Sequence, residues 1–237
     1  MACEPLAHLP LSPWRSPPET PSLSGGRVDL WRFRLDPPES ELPRLKQLLC
    51  PDELNRAARL IDPVKRARFI VGRARLRQVL ARYFALAPKT LEFCYGEHGK
   101  PSLGAPPHQT FRFNLSHAGL WGVFAISAGS ELGVDVELID PELGYDKVAE
   151  HYFSPAEVEC WKRYPELRRR RAFYRIWTRK EALLKAQGGG FTAAQTSSQD
   201  GWVLRSFALS CGYLGALAVT AKVKRVQRWD LGYEDPC

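Results

Sequence analysis

The sequence predicts an α+β protein of two similar lobes, and two observations lead to this prediction. Runs of alternating apolar and polar residues, typical of strands, occur between longer stretches whose apolar residues recur every three or four positions, as in helices. These elements follow one another in two similar sets, over about residues 28–131 and 132–222. The chain has 237 residues, enough for two lobes of about 100 residues each.

Residues 1–26 differ in composition from the rest of the chain. They contain six prolines and end in Gly25 and Gly26, which is typical of a segment with little order. We therefore expect a disordered, Pro-rich N-terminal leader at residues 1–26, an N-terminal lobe at residues 27–131 and a C-terminal lobe at residues 132–237.

The first set of elements begins with VDLWRFRL, residues 28–35, which alternates as a half-buried strand does. Residues 65–86 predict a long helix with a buried face and many arginines on the remaining surface. Strands are expected at residues 91–95 and 111–115, and residues 121–127 predict a strand buried on both faces. In the second set, two closing strands are expected, at residues 202–209 and 213–223.

The predicted strand ELGVDVEL, residues 131–138, places two carboxylates on one face. Asp135 and Glu137 point away from the valines because side chains alternate along a strand, and their Cα atoms should lie roughly 6.5–7 Å apart. Such a pair is commonly the solvated face of a strand, and a functional role requires a cation nearby. Two carboxylates without a histidine or cysteine cluster suit a hard cation such as Mg²⁺.

The segment YRIWTRKEALLKAQGGG, residues 174–190, predicts a helix that ends at glycines. Lys180 lies in the middle of its apolar stripe, and Glu181 and Lys185 lie one turn apart on the flank of that stripe. Two interpretations remain open. Either Glu181 and Lys185 form a surface pair worth roughly 0.3–0.5 kcal/mol while Lys180 extends its stem along the core, or the three side chains line a charged cleft.

Two further motifs also have two interpretations. Ser154 and Glu157 form a capping box at the start of a helix, which would occupy the Glu157 carboxylate, whereas a general base would need that carboxylate free. Ser116 and His117 follow a predicted strand and are either ordinary turn residues or donors to a phosphate.

The net charge of +8 indicates a polyanionic partner, which could be nucleic acid, a nucleotide or an acidic protein. The six cysteines and five histidines show no metal-binding spacing, so we expect neither structural zinc nor a disulfide framework. No apolar run approaches the roughly 20 residues of a membrane span.

Four motifs, in this order and spacing, resemble those of the Sfp-type 4'-phosphopantetheinyl transferases. They are FNLSH at 113–117, GVDVE at 133–137, FSPAE at 153–157 and WTRKEALLKAQGGG at 177–190. The resemblance covers residues 27–223, and Trp177 followed by KEA is similar to the W/KEA branch of the family. It implies a pseudo-twofold fold of two lobes with coenzyme A in the cleft between them. It also implies that a carrier-protein serine attacks the β-phosphate of coenzyme A, so that phosphopantetheine is transferred and 3',5'-ADP leaves.

The resemblance implies roles for individual residues. Mg²⁺ would be held by Asp135, Glu137 and Glu181, while Lys180 and Lys185 would face the phosphates and Lys185 would donate to the leaving group. The 3'-phosphoadenosine end of coenzyme A would contact five residues: Arg56, Arg68, Lys100, Ser116 and His117. The general base would be Glu157, directly or through water, with Glu181 as the alternative.

The expected partners are acidic apo acyl carrier or peptidyl carrier proteins of fatty-acid, polyketide or nonribosomal-peptide synthesis, bound transiently by a cytoplasmic monomer. The competing prediction is a basic nucleic-acid-binding module without catalysis. It is less favoured because the basic residues are not interleaved with exposed aromatic residues, and because three carboxylates would repel a phosphate backbone in the absence of a metal.

Overall fold

The computed structural model describes residues 11–96, 101–104, 110–188 and 200–232. Over these residues the chain forms ten β-strands and six α-helices, so the predicted α+β class is confirmed. The first part contains β1 (Leu11–Arg15), β2 (Arg27–Arg34), α1 (Leu42–Lys46), α2 (Pro51–Ala58), α3 (Pro63–Phe84), β3 (Phe93–Tyr95), β4 (Pro101–Leu103), β5 (Phe111–Ala118) and β6 (Trp121–Ala128). The second part contains β7 (Leu132–Leu138), α4 (Tyr145–Tyr152), α5 (Pro155–Lys162), α6 (Glu166–Gln187), β8 (Trp202–Ala208), β9 (Tyr213–Thr220) and β10 (Arg225–Asp230).

The two sets of elements share one arrangement of strands. In the first, β2 pairs with β6 and β6 with β5; in the second, β7 pairs with β9 and β9 with β8, and all four pairs are antiparallel. Each set places a 22-residue helix, α3 or α6, between its first strand and its last two. This repetition agrees with the two similar sets that the sequence predicts.

The core has four layers because each sheet buries both of its faces. Helix α3 packs on one face of the larger sheet, against side chains such as Phe113 and Phe124. The opposite face of that sheet packs on the smaller sheet through residues such as Leu30 and Val134. Helix α6 covers the far side of the smaller sheet. Alternation along β7 therefore directs the valines inward and the residues between them toward α6.

The predicted disorder of the leader is wrong over Leu11–Arg15, which form a strand, while residues 1–10 lie outside the described part. Strand β1 is the edge strand of the five-stranded sheet and pairs with β10 in parallel. The side chain of Trp14 lies against the guanidinium groups of Arg32 and Arg228, at 4.9 and 5.0 Å from its ring centre. An edge strand tolerates Pro13 because one side of its backbone needs no partner, and the register is irregular at this point.

Strand β10 crosses the boundary that we predict between residues 131 and 132. It belongs by sequence to the C-terminal lobe but pairs with β2 and β1 in the sheet of the N-terminal set. The sequence pattern had indicated only two closing strands, so this third strand was missed.

Two expectations from composition can be compared with the structure. In the described part of the chain, no helix is long and apolar enough to cross a membrane. Cys50 and Cys94 are free, but Cys160 and Cys211 are disulfide-bonded, so the expectation against disulfides is wrong at these two positions.

Candidate active site

Strand β7 and helix α6 lie in direct backbone contact because residue 133 is glycine. A Cβ atom at this position would overlap the carbonyl oxygen of Ala182 and the backbone nitrogen of Ala186. Both are main-chain atoms, so a larger residue at 133 would force the strand and the helix apart. The contact brings the outward-facing carboxylates of β7 next to the last two turns of α6.

A cavity of about 370 Å³ opens between β5, β7 and α6. Six of the predicted site residues line it: Ser116, His117, Asp135, Glu137, Glu181 and Lys185. We call this space the carboxylate cavity. The structure thus gathers all three predicted metal ligands in one place, together with one of the two lysines predicted to face the phosphates.

Asp135 is the most buried of these residues, with 3% of its surface exposed. Its Oδ1 atom accepts hydrogen bonds from Lys185 Nζ at 2.6 Å and from Ser116 Oγ at 3.0 Å. Its Oδ2 atom is also buried but has no hydrogen-bond partner among the described residues. A buried carboxylate oxygen without a partner is costly, which indicates that a cation or a polar group belongs beside it.

The other two carboxylates are partly buried and repelled by Asp135. Burial raises the pKa of Glu137 and the charge of Asp135 raises it further, although a hydrogen bond from Trp177 Nε1 at 3.3 Å opposes the shift. Burial, and then the charge of Asp135, raise the pKa of Glu181 to about 7. Lys185 opposes both shifts without cancelling them. A divalent cation would reverse these shifts because it favours the ionised carboxylates.

The residues of the carboxylate cavity fit Mg²⁺ in their chemistry. Within the described ranges no three His, Cys, Asp or Glu side chains are grouped closely enough to enclose a metal. Magnesium does not require such a cage, since it usually binds one or two carboxylates and completes its shell with water and substrate phosphate. The carboxylate oxygens of the cavity, and the unpaired Asp135 Oδ2 among them, meet that requirement.

Lys180 contacts Glu157 and does not line the carboxylate cavity. Its Nζ donates to Glu157 Oε2 at 2.8 Å, and the same oxygen accepts the backbone N–H of Ser154 at 2.7 Å. Ser154 Oγ in turn accepts the backbone N–H of Glu157 at 3.3 Å. The capping-box interpretation is therefore confirmed, and the Glu157 carboxylate is occupied twice. Lys180 points to a different side of α6 from Glu181 because consecutive helical residues are about 100° apart around the axis.

Comparison with known proteins identifies the family. Residues 34–129 match the model described as "4'-phosphopantetheinyl transferase, N-terminal", and residues 131–208 match the model of the 4'-phosphopantetheinyl transferase superfamily. The 4'-phosphopantetheinyl transferase HetI of Nostoc sp. is 38% identical over 178 residues, which are 75% of this chain and 75% of the relative. The chain belongs to the 4'-phosphopantetheinyl transferase family.

Other relatives agree with this assignment. The transferase AcpT of Salmonella typhi is 37% identical over 172 residues, covering 71% of this chain and 81% of the relative. The 4'-phosphopantetheinyl transferase of Bacillus subtilis is 32% identical over 126 residues, covering 53% and 54%. The protein is therefore a transferase that uses coenzyme A as substrate and transfers phosphopantetheine to carrier proteins.

The residues predicted to bind the adenosine end of coenzyme A are not gathered in the same way. Ser116 and His117 line the carboxylate cavity. The charge of Arg68 acts on Asp36, whose pKa is lowered chiefly by a hydrogen bond from Arg34. The guanidinium of Arg56 lies 5.5 Å from the ring centre of Phe69, on the α2 and α3 side of the molecule. Lys100 lies outside the described residues. The adenosine-binding roles of this group stay a prediction.

A second, larger cavity of about 580 Å³ adjoins the first and shares His117 and Glu137 with it. Tyr174 and Asp140 line its far side, and the Tyr174 hydroxyl accepts the backbone N–H of Asp140 at 3.0 Å. We call it the outer cavity. Sequence reasoning missed it, although Tyr174 precedes Glu181 by seven residues, or two turns, on the same side of the helix.

Two other residues of the site were also missed in their present roles. The indole N–H of Trp177 donates to Glu137 Oε1 at 3.3 Å. The Oδ1 atom of buried Asn114 accepts the backbone N–H of Val134 at 2.9 Å and so joins β5 to β7 beside Asp135. The sequence could have indicated that Trp177 lies in the site, because it precedes Glu181 by one helical turn. Nothing in the sequence indicated that Asn114 binds Val134.

Proposed function

We propose that this transferase uses Mg²⁺ bound by Asp135, Glu137 and Glu181 to transfer phosphopantetheine from coenzyme A to a serine of an apo carrier protein, with release of 3',5'-ADP. The observation that carries the proposal is the unpaired, buried Oδ2 atom of Asp135 in a cavity lined by three carboxylates and a lysine. When bound, Mg²⁺ supplies charge neutralisation for the pyrophosphate.

Lys185 is the residue best placed to act on the leaving group. Its Nζ lies 2.6 Å from Asp135 Oδ1 and 3.1 Å from Ser116 Oγ, so two oxygens orient it at the edge of the carboxylate cavity. In the reaction the serine oxygen forms a bond to the β-phosphorus and the bond to the bridging oxygen breaks. The Lys185 ammonium then stabilises the negative charge that develops on the departing oxygen.

The proton of the attacking serine goes to Glu181 or to water in this proposal. Glu157 is less suited because its carboxylate is bound by the Ser154 backbone and by Lys180. Burial raises the pKa of Glu181 to about 7 without a metal, which suits proton transfer near neutral pH, and a bound Mg²⁺ would lower that pKa again. Metal binding and proton acceptance would compete at Glu181, and a water molecule activated beside it would remove that conflict.

The remaining assignments are proposals of finer detail. Lys180, Arg56, Arg68 and Lys100 would contact the phosphates or the adenosine end of coenzyme A. The carrier proteins would be acidic and transiently bound, which agrees with the net charge of +8. The enzyme would act as a cytoplasmic monomer.

The test is to mix the protein with coenzyme A, Mg²⁺ and a panel of apo carriers from fatty-acid, polyketide and nonribosomal-peptide synthesis, and to record intact masses. We expect a phosphopantetheine adduct on at least one carrier, and none when Mg²⁺ is removed by a chelator. Absence of the adduct on every carrier would contradict the proposal. An undiminished yield in chelator would contradict the metal assignment alone.

A further inference from the structure

The active site lies where two sheets meet edge to edge without pairing. Strand β5 ends the five-stranded sheet and β7 ends the three-stranded sheet. Over the described residues β5 pairs with β6 alone and β7 with β9 alone, yet both strands line the carboxylate cavity. The facing edges of two such strands carry N–H and C=O groups that no ladder satisfies. Side chains must therefore fix the distance between the strands, and we call the contact between residues 111–118 and residues 132–138 the seam.

Asn114 joins the two strands next to the proposed metal ligand. Alternation along β5 directs Asn114 and Ser116 toward the smaller sheet, while Phe113 packs beneath α3. The Oδ1 atom of buried Asn114 accepts the backbone N–H of Val134 at 2.9 Å, as the carbonyl of a neighbouring strand would. Further along the seam, Ser116 Oγ donates to Asp135 Oδ1 at 3.0 Å. The Asn114 contact therefore sets how closely Ser116 approaches Asp135.

Tyr213 joins the two sheets at the other end of the site. This residue lies in β9, and its hydroxyl accepts the backbone N–H of Leu120, in the turn between β5 and β6, at 3.1 Å. The turn approaches Tyr213 so closely that a Cβ atom on Gly119 would overlap the hydroxyl. Ala118 and Gly119 line the outer cavity together with His117, which precedes them. Tyr213 therefore holds the end of β5, and with it His117, against the smaller sheet.

We propose that Asn114 and Tyr213 are positioning residues, which hold Ser116 and His117 of β5 at a fixed distance from the carboxylates of β7. Neither is among the described residues that line the carboxylate cavity or the outer cavity, so each acts through the residues that do. A reaction that depends on placement and charge neutralisation loses rate when groups on opposite sides of the site move apart. The inference rests on the proposed function, because the spacing matters only where coenzyme A and Mg²⁺ bind between β5 and β7.

The main test is Asn114→Ala, which leaves the Val134 N–H without its acceptor and lets β7 move relative to β5. We expect kcat to fall about 10²-fold, the loss that a misplacement of roughly 1 Å can cause. Mg²⁺ binding, measured by calorimetry with coenzyme A and without carrier, should weaken about tenfold because the contact from Ser116 that orients Asp135 is loosened. The KM for the apo carrier should stay unchanged, since Asn114 is buried and meets no partner protein.

The matched control is Ser127→Ala on β6, at a residue that lines neither cavity. Ser127 is also buried, and its hydroxyl donates to the backbone oxygen of Ser130. We expect both variants to lower the midpoint of thermal unfolding, but only Asn114→Ala to lower kcat and weaken Mg²⁺ binding. Equal losses of turnover in the two variants, or unchanged kcat and Mg²⁺ affinity in folded Asn114→Ala, would overturn the positioning role of Asn114.

Tyr213→Phe tests the other end of the seam even if Asn114→Ala does not fold. The change keeps the ring and removes only the hydroxyl that binds the Leu120 N–H. We expect the Kd for coenzyme A, measured by calorimetry, to rise a few-fold because His117 is no longer held in place. The midpoint of thermal unfolding should change little. An unchanged Kd would overturn the role of Tyr213.

The binding measurements separate this inference from the proposed function, since they require neither carrier nor turnover. If the wild type binds coenzyme A and Mg²⁺ but forms no adduct, weaker binding in the two variants supports the seam although the proposed reaction fails. If the wild type forms the adduct and both variants match it in kcat and in both affinities, the inference fails alone. Absence of binding in the wild type overturns both.

Discussion

Helices α3 and α6 occupy corresponding positions in the two sets of elements, but their charged residues differ. Buried charges of α3 are paired within the protein, whereas carboxylates outnumber cations in the cavity beside α6. In α3, Arg73 and Arg77 are buried and both donate to one carboxylate, Glu53, at 2.7 and 2.6 Å. Burial alone would raise the pKa of Glu53, but the hydrogen bond from Arg77 and the charges of both arginines lower it overall. Every charge in this cluster has its partner within the protein.

At α6 the balance is reversed. Asp135, Glu137 and Glu181 share one cavity with the single cation Lys185, and the pKa values of both glutamates are raised. The Asp135 Oδ2 atom has no partner among the described residues. The comparison indicates that the α3 cluster stabilises the fold by itself, whereas the α6 cluster is completed by a ligand. Each of the following changes tests one side of that comparison.

The largest effect on stability is expected in the α3 cluster. Glu53→Gln removes the negative charge between Arg73 and Arg77 and leaves two buried guanidinium groups uncompensated. We expect the free energy of unfolding to fall by about 3–5 kcal/mol, measured by urea denaturation. The control Glu41→Gln affects a half-exposed pair with Arg75, and it should change the free energy of unfolding by less than about 1 kcal/mol. Equal effects would show that the α3 cluster is not the structural element we describe.

The largest effect on turnover is expected at Asp135. Asp135→Asn keeps the shape of the side chain but removes the charge that Lys185 and the proposed Mg²⁺ share. We expect kcat to fall by about 10²–10³-fold, the range seen when one preorganised electrostatic contact to a transition state is lost. The midpoint of thermal unfolding should change little, because losing the ion pair with Lys185 is offset by relief of the repulsion between Asp135 and the two glutamates. A kcat near that of the wild type would contradict the metal assignment.

A smaller effect, dependent on pH, is expected at Glu181. Its pKa in the folded protein is raised from 4.5 to about 7, so the folded state holds the proton more tightly than the unfolded state. In the metal-free protein, this tighter proton binding adds to the free energy of unfolding. The contribution is fully present below pH 4.5 and is lost as the pH rises through about 7. Added Mg²⁺ must displace this proton, so its stabilising effect should grow over the same range.

The measurement is the midpoint of thermal unfolding against pH, with and without Mg²⁺. Glu181→Gln should flatten the metal-free profile in the interval between pH 4.5 and about 7. If the variant and the wild type show the same profile, the raised pKa belongs to another group.

The sequence predicts the carboxylates of the site well because strand alternation fixes which residues of β7 share a face. It predicts the neighbours of Lys180 poorly, because periodicity gives the direction of a side chain on its helix but not the element that packs there. The contact between Lys180 and Glu157 joins residues 23 positions apart, on α6 and α5. Strand β1 was missed for the same reason, since Leu11 pairs with Val226 at the other end of the chain.

The smallest effects are expected at the α5 cap, where stability and catalysis can be separated. Ser154→Ala removes the side-chain acceptor for the Glu157 backbone N–H, and we expect a loss of about 1 kcal/mol in the free energy of unfolding with kcat unchanged. Glu157→Gln keeps one hydrogen bond to Ser154 but removes the charge that binds Lys180. If Glu157 were the general base, this variant would lose turnover by about 10²-fold or more at unchanged stability. We expect instead a modest loss of stability and near-normal kcat in both variants, because the cap and Lys180 occupy the carboxylate and leave the proton of the serine to the carboxylate cavity.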